Sequence, residues 1–352
     1  MMLTPFTGQS PRRPHEPGWD DDLGFRYREL DALWLARWTA ESGWEPGRLY
    51  EHQGSTFELS PGANVLHYGQ AVFEGLKARR TREGKVVLFR PTDNARRLRS
   101  SAARLVMEAP SVEAFMEAVL SVVRANSRWV PAYGKGSLYI RPLLIGSGSV
   151  LGVKPAQEYL FCVFASPVGQ YMGGDRAIVL SAAHRSAPYG TGAAKTAGNY
   201  AASLCPQKTA KGLGYVDALY LDAREDRYVE ELSSANFFAV LKDGTLVTPE
   251  LGSILPGITR DSVLATAREL FGWIAVERRL SIDEVLSDGV EAFYTGTAAV
   301  LSSITVINHR GVDHPIGDGE PGPRARMLRR ALEEIQLQEQ PDPWGWVMEV
   351  EL

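Results

Sequence analysis

Apolar and polar residues recur along the chain with two periods, one typical of helices and one typical of strands. The apolar run 86–89 (VVLF) is followed by Pro91, which predicts a strand and then the first turn of a helix. In that helix Leu98, Ala102 and Val106 are each four positions apart, and residues at this spacing lie on one face. We therefore predict one buried stripe from Leu98 to Val106.

The remainder of the first half predicts an α+β arrangement. Segment 111–126 has the helical period, whereas 136–146 and 158–169 are rich in β-branched and aromatic residues. A glycine-rich loop, 146–152, joins these two predicted strands.

The second half predicts strands that alternate with helices and hairpins. Strands are predicted at 177–182 and 217–222, and 237–248 reads as a hairpin because Asp-Gly occupies its turn. Helices are predicted at 199–212, at 255–272 beginning after Pro256-Gly257, and near the end of the chain with Leu328, Ala331, Leu332 and Ile335 on one face.

The length and one loop predict the domain organisation. At 352 residues the chain has room for two domains of roughly 150 residues each. The glycines and proline of SPVGQYMGGD, 166–175, are typical of a linker. We predict a two-domain α/β (α+β) fold, with a small N-terminal domain at 1–168, a linker at 169–175 and a larger C-terminal domain at 176–352.

Composition excludes several classes of partner. The net charge is −4, so no attraction to nucleic acid or to an anionic membrane is expected. No apolar run approaches the about 20 residues that span a bilayer, and the start of the chain lacks the apolar core of a signal peptide. The two cysteines, Cys162 and Cys205, form no C-x-x-C pair, which favours the cytoplasm. The six histidines are scattered, and no metal site is predicted.

The stretch 191–200 (TGAAKTAGNY) allows two interpretations of Lys195. A P-loop needs glycine directly before the lysine, but Ala194 stands there and Tyr189 fills the first glycine position. A P-loop nucleotide-binding protein is therefore disfavoured and stays as the alternative from another class. Small uncharged neighbours make the amine easy to desolvate, which lowers a lysine pKa and favours a nucleophilic neutral amine. The competing interpretation is an ordinary solvated lysine.

Three further features extend the nucleophile interpretation. The helix that follows LPG begins with Ile258 and Thr259, whose N–H groups are suited to bind a phosphate. Glu230 and Glu231 end a strand-like run, and Tyr200 follows the lysine by five positions. An ordinary helix start and a solvated acidic pair are the plainer interpretations. Taken together, the features fit pyridoxal phosphate, which needs a lysine, a phosphate cup and a carboxylate at its ring nitrogen.

Seven motifs then give a specific resemblance. They are VLHYGQAVFEGLKARR, SLYIRPLLIG, FASPVGQY, GTGAAKTAGNYAAS, VEEL, ILPGITRDS and TGTAAV, in the order and spacing of the branched-chain amino acid aminotransferases. Those are pyridoxal-phosphate enzymes of fold type IV, and the resemblance covers residues 60 to 352. It implies a homodimer that moves the amino group of a branched-chain L-amino acid to 2-oxoglutarate, giving a 2-oxo acid and L-glutamate.

The resemblance also implies the cofactor contacts. Lys195 matches the lysine that forms the Schiff base and carries the proton, Glu231 the carboxylate at the ring nitrogen, and Tyr200 the partner of the phenolic oxygen. Leu255 matches a leucine packed under the ring. The phosphate is then held by the remaining residues of the implied set, Arg97, Ile258, Thr259 and Thr297.

The implied substrate contacts come mainly from the first half. Tyr139 and Ala298 match residues at the α-carboxylate, and Arg141 matches the group that receives a second carboxylate. Tyr139 and Arg141 alternate on a predicted strand and so share one face. The loop with Leu151 and Val153 reaches the neighbouring subunit in that family. The implied apolar walls of the pocket are Tyr68, Phe73 and Tyr171.

Departures from the family pattern concern substrate choice. Arg79 stands where the family has an aromatic residue, and 230–236 reads EELSSAN where EELGGMN is usual. The first ~55 residues follow the family less closely. A specialised transaminase with a shifted substrate, a D-amino acid aminotransferase, an aminodeoxychorismate lyase and a catalytically retired paralogue therefore remain as alternatives.

Overall fold

The computed structural model describes residues 23–51, 57–169, 175–179 and 183–352, and the fold is given for these residues. The strands are β1 (Ala32–Thr39), β2 (Gly43–Trp44), β3 (Arg48–Glu51), β4 (Ala71–Phe73), β5 (Leu76–Arg80), β6 (Val86–Phe89), β7 (Ser137–Gly146), β8 (Glu158–Val168), β9 (Arg176–Val179), β10 (Asp217–Leu221), β11 (Val229–Leu232), β12 (Asn236–Leu241), β13 (Leu246–Thr248), β14 (Ala275–Glu277), β15 (Gly289–Gly296), β16 (Val300–Ile304), β17 (Val306–His309), β18 (Val312–Pro315) and β19 (Val347–Val350). The helices are α1 (Asn64–Tyr68), α2 (Pro91–Arg104), α3 (Val112–Ala125), α4 (Ala197–Gly212), α5 (Ile258–Ala265), α6 (Ile282–Asp288) and α7 (Pro323–Gln336), with a 3₁₀ turn at Ser127–Trp129 and a π-helical turn at Thr266–Leu270.

The first of two compact units contains the described residues up to 169, together with 346–352. Its sheet has the order β19-β6-β5-β7-β8-β1-β2, with β3 also paired to β1 and β4 to β7. The described pairings are antiparallel, and the longest joins β7 to β8 over all of β7. The strands predicted at 136–146 and 158–169 are confirmed by this pair.

Helices α2 and α3 cover one face of that sheet. Leu98 and Ala102 from α2, and Phe115, Val119 and Val122 from α3, lie in its main core. Burying a large apolar side chain contributes about 1.5–3 kcal/mol, so these stripes fix both helices against the sheet.

The ends of the two helices depend on local chemistry. Helix α3 begins where the Ser111 hydroxyl accepts a hydrogen bond from the Ala114 N–H at 3.1 Å. Helix α2 ends at Arg104, and Val106 follows with a φ of +54° and 67% of its surface exposed. The prediction that Val106 continues the buried stripe is wrong, because the chain turns left-handed at that position.

The C-terminal strand joins the first unit. β19 pairs antiparallel with β6, with Val347 opposite Phe89 and Val350 opposite Val86. The predicted C-terminal domain, 176–352, includes this strand, whereas its hydrogen-bond partners lie in the first sheet. The predicted linker, 169–175, falls mostly outside the described residues.

The second unit, formed by the described residues between 175 and 345, is built on a mixed sheet. Its order is β14-β13-β12-β11-β10-β9-β17-β18, with β15 paired to β12 and to β16. The pairs β9–β10, β9–β17 and β13–β14 are parallel. The Asp-Gly hairpin is confirmed as β12–β13, and the four predicted residues of the last helix are all buried in α7.

None of the described helices combines the length and the apolarity that crossing a membrane requires.

Candidate active site

Lys195 lies two residues before the start of α4, at the end of a loop of small residues. Its Nζ donates a hydrogen bond to the Tyr200 hydroxyl at 2.8 Å and lies 5.0 Å from the centre of that ring. Side chains on a helix point toward its N-terminus, so Tyr200 in the first turn of α4 reaches back to the amine. The pair is thus a local consequence of the K-T-A-G-N-Y sequence.

The loop that carries Lys195 is held by one amide. Asn199 donates through Nδ2 to the carbonyl oxygens of Thr191 and Ala194, each at 2.8 Å, and accepts from the Thr191 hydroxyl at 2.7 Å. Gly192 packs so closely on the carbonyl oxygen of Ser253 that a Cβ would overlap it. The lysine therefore stands on a fixed backbone.

Glu231 lies in β11 with 2% of its surface exposed. Oε1 lies 2.8 Å from Arg185 Nη1 and accepts from the Leu255 N–H at 3.3 Å, and Oε2 accepts from Asn236 Nδ2 at 3.0 Å. Burial raises the pKa of Glu231 to about 7, against the opposing effect of Arg185. This carboxylate is held by donors on three sides and is poised near neutral pH.

Glu230, its neighbour on the strand, is also buried. Oε1 accepts a hydrogen bond from the Ser253 hydroxyl, whereas Oε2 is buried with no partner among the described residues. Burial raises the pKa of Glu230 above its ordinary value. The interpretation of the two glutamates as a solvated acidic pair is therefore wrong.

Helix α5 begins at Ile258 after Gly257, and no side-chain hydrogen bond caps that end. A Cβ on Gly257 would overlap Asn236 Oδ1, so only glycine fits there. Asn236 also donates to the carbonyl oxygen of Leu255 at 2.9 Å. One amide thus ties Leu255, the start of α5 and the Glu231 carboxylate together. Thr259 is buried in the first turn.

Thr297 and Ala298 lie in the turn between β15 and β16. Thr295 of β15 is paired with Asn236 of β12, and Asn236 is paired with Glu231 of β11. The turn therefore begins two residues after a position that lies two strands away from Glu231.

In the first unit, Tyr139 and Arg141 share one face of β7, as predicted. The Arg141 guanidinium donates to the Tyr139 hydroxyl at 3.2 Å and lies 4.7 Å from the Phe73 ring centre and 5.3 Å from that of Tyr139. Phe25 packs edge-on against Tyr139 with 4.8 Å between ring centres. The result is a cation set among aromatic rings.

Arg97 pairs with a glutamate that the sequence interpretation did not single out. Its Nε donates to Glu74 Oε1 at 2.7 Å and its Nη2 to Glu74 Oε2 at 2.8 Å. Asn94 adds a bond to the same carboxylate at 2.8 Å. This fork fixes the orientation of Arg97 within the first unit.

The remaining predicted residues concern the pocket wall and the loop. Tyr68 donates from its hydroxyl to the carbonyl oxygen of Leu151. Leu151 and Val153 are 93% and 86% exposed. Tyr171 lies outside the described residues.

Comparison with known proteins decides the family. The family model described as amino-transferase class IV matches residues 71–307. The chain belongs to the class IV aminotransferases.

Individual relatives agree with that assignment. "Branched-chain amino acid aminotransferase 2, chloroplastic" of Humulus lupulus is 45% identical over 335 residues, covering 94% of this chain and 81% of the relative. Among solved structures, the Escherichia coli branched-chain amino acid aminotransferase is 30% identical with a TM-score of 0.79, covering 92% of this chain and all of that one. The Thermobaculum terrenum branched-chain amino acid aminotransferase, solved in its PLP-bound holo-form, is 26% identical with a TM-score of 0.75 over 92% and 99% of the two chains.

The resemblance to the branched-chain amino acid aminotransferases and the fold type IV class are thereby confirmed for this aminotransferase. Some of the predicted residues lie in two clusters. One lies around Lys195, Tyr200 and Glu231 in the second unit, and the other around Tyr139 and Arg141 in the first.

Four residues that contact predicted site residues were not singled out from the sequence: Arg185, Asn236, Glu74 and Phe25. Arg185 is 46 positions from Glu231 and meets it only through folding, whereas Asn236 meets it from the adjacent strand, five positions away. Charged residues are mostly exposed, so nothing local marks Arg185 or Glu74 as buried.

Proposed function

We propose that this class IV aminotransferase moves the amino group of a branched-chain L-amino acid to 2-oxoglutarate with pyridoxal phosphate as cofactor, giving a 2-oxo acid and L-glutamate. The observation that carries the proposal is the Lys195 amine hydrogen-bonded to Tyr200 in the unit that also buries Glu231. The names of the relatives support the branched-chain donor.

The second-unit cluster fits the cofactor. It offers an amine on a fixed loop, a fully buried carboxylate, and a helix start at Ile258 that only glycine can precede. The cofactor, when bound, supplies an aldehyde that accepts the amino group and a ring that withdraws electrons from the reacting carbon. In our assignment Lys195 would supply the amine that joins the aldehyde, Glu231 would hold the ring nitrogen and Tyr200 would hold the phenolic oxygen. Leu255 would contact the ring, and the phosphate would be held by the remaining residues of the set, Arg97, Ile258, Thr259 and Thr297.

Lys195 also moves the substrate proton. A neutral amine takes up a proton in one step and gives it back in the next, so Nζ serves as general base and then as general acid. The hydrogen bond to Tyr200 restricts the positions that Nζ can occupy, which lowers the entropic cost of reaching the reactive geometry.

The first-unit cluster is assigned to the substrate. Arg141 binds the second carboxylate of 2-oxoglutarate or glutamate, since a guanidinium suits a planar carboxylate. Tyr139 and the Ala298 backbone hold the α-carboxylate. The pocket walls are assigned to Tyr68, Phe73 and Tyr171.

The same proposal covers assembly and location. The exposed apolar loop residues Leu151 and Val153 favour a homodimer in which this loop is covered by the second copy. A cytoplasmic location and the domain division at 169–175 are further parts of the proposal.

The test is an absorbance spectrum of the purified protein before and after L-leucine is added, followed by a glutamate assay with 2-oxoglutarate. We expect a yellow band that bleaches with L-leucine, and glutamate that forms in step with the 2-oxo acid. D-alanine and aminodeoxychorismate serve as comparison substrates, and turnover of these without turnover of L-leucine would move the assignment within the fold. A colourless protein that ATP and magnesium protect from heat would overturn it.

A further inference from the structure

Arg185 is a buried arginine of the second unit that the proposed function leaves without a role. Its Nη1 lies 2.8 Å from Glu231 Oε1, and both side chains are almost fully excluded from solvent. The same Nη1 lies 3.5 Å from the Gly192 carbonyl oxygen, and the guanidinium lies 5.8 Å from the Tyr200 ring centre. Arg185 therefore contacts both the carboxylate and the loop that carries Lys195.

This pair is costly to bury. A buried ion pair loses so much hydration that a well-packed apolar pair of similar size is often more stable. Arg185 Nε adds to the cost, because it is buried with no hydrogen-bond partner in the described part of the chain. A guanidinium kept under these conditions is better explained by what it does for Glu231 than by a contribution to folding.

The charged groups that face Glu231 act in opposite directions. Burial is the largest influence and raises the pKa of Glu231 to about 7, and the neighbouring Glu230 raises it further. Arg185 is the largest opposing influence, ahead of the Leu255 N–H and Lys195. The charge of the carboxylate at neutral pH therefore depends on Arg185 more than on any other of these neighbours.

We propose that Arg185 is a positioning residue that keeps the Glu231 carboxylate charged and oriented, so that the ring nitrogen of the cofactor stays protonated at neutral pH. The inference rests on the proposed function, because Glu231 can stabilise a protonated ring nitrogen only when the cofactor is bound. Asn236 binds the other oxygen of Glu231 but carries no charge, so it orients the carboxylate without keeping it ionised.

The experiment follows the ring nitrogen directly. Wild type, Arg185→Met and Arg185→Lys are loaded with pyridoxal phosphate labelled with nitrogen-15 in the ring. The nitrogen resonance is recorded across roughly pH 6 to 9, around the pKa that burial gives Glu231. Arg278→Met is the matched control, because it removes a guanidinium–carboxylate pair with Glu284 from the surface of the same unit.

We expect the wild type and Arg278→Met to show a protonated ring nitrogen at neutral pH. In Arg185→Met the resonance moves toward that of an unprotonated pyridine, since the proton passes to the carboxylate. The dissociation constant of the cofactor rises about tenfold or more, as expected for the loss of one charge-assisted contact. Arg185→Lys keeps the charge and restores the protonated resonance.

Two failures are distinguishable. If the wild type binds no pyridoxal phosphate, the proposed function fails and takes this inference with it. If the wild type binds with a protonated ring nitrogen and Arg185→Met gives the same resonance and the same affinity, the proposed function stands and the role of Arg185 is refuted.

A second measurement covers a variant that folds poorly. The urea midpoint of the cofactor-free protein at about pH 8 is compared for wild type, Glu231→Gln, Arg185→Met and the double variant. We expect Glu231→Gln to raise the midpoint more in Arg185→Met than in wild type, because without Arg185 the buried carboxyl has lost its main stabilising charge. An equal gain in both backgrounds would mean that Arg185 only fills space, and would overturn the proposal.

Discussion

The Arg97–Glu74 pair of the first unit and the Arg185–Glu231 pair of the second are both buried, and they differ in geometry. Arg97 meets Glu74 with two parallel hydrogen bonds, at 2.7 and 2.8 Å, and Asn94 adds a third donor. Arg185 meets Glu231 through one nitrogen at 2.8 Å.

The difference indicates which partner each pair serves. A two-bond fork fixes the plane of the guanidinium, so in the first unit the glutamate orients the arginine. In the second unit the glutamate takes single contacts from Arg185, Asn236 and the Leu255 N–H, and burial raises its pKa to about 7. In the second unit the arginine therefore stabilises the charged form of the glutamate.

The largest expected effect tests whether the catalytic amine of the second unit is that of Lys195. Lys195→Ala should lower kcat for amino transfer by about 10⁴-fold, the upper end of what a general acid–base contributes. Its free energy of unfolding should stay close to wild type, since Lys195 makes a partly exposed contact. Steady-state kinetics and urea unfolding measure the two quantities, and a kcat within tenfold of wild type would contradict the assignment.

The second effect tests whether the Arg97–Glu74 pair contributes to the free energy of unfolding. Glu74→Ala leaves the Arg97 guanidinium without its carboxylate, which should cost about 3–5 kcal/mol of unfolding free energy. Glu349→Ala is the control, because it breaks a solvent-exposed pair with Lys85 in the same unit and should leave the free energy of unfolding almost unchanged. Similar losses of unfolding free energy in Glu74→Ala and Glu349→Ala would mean that the buried pair is no more important for folding than the surface pair.

The third effect uses pH on the cofactor-free protein. The pKa of Glu231 is about 7 when folded against an ordinary 4.5, so its contribution to stability is full below pH 4.5 and is lost as the pH rises through 7. Glu231→Gln removes this dependence. The unfolding free energy of the variant relative to wild type should rise by on the order of 3 kcal/mol between about pH 5 and 8. Asp217, whose pKa is also raised, titrates in both proteins and cancels in the difference. A flat difference would show that burial does not control this carboxyl.

The smallest effect concerns Tyr200. Tyr200→Phe removes the hydroxyl that accepts from Lys195 and keeps the ring. A single hydrogen bond of this kind is worth about 0.5–1.5 kcal/mol, so kcat/KM should fall by roughly three- to tenfold. An effect as large as that of Lys195→Ala would mean that the hydroxyl takes part in the proton transfer itself.

Much of the fold could be predicted from local pattern. The helical period at 111–126 and the strand pair 136–169 appear in the structure, because residues a few positions apart set which face of an element is apolar. The end of α2 could not be predicted that way. Val106 continues the apolar period, yet the backbone turns at Val106 itself, with a φ of +54°.

The sequence by itself determined the chemistry that is local. Lys195 and Tyr200 are five positions apart on one loop and helix turn, and glycine at 257 marks the start of α5. Only the tertiary structure decided which charges share the interior. Arg185 meets Glu231 across 46 positions, Glu74 meets Arg97 across 23 positions, and β19 returns to β6 from the end of the chain. Ionisable residues are polar in any sequence pattern, and they become partners only where the folded backbone removes the water between them.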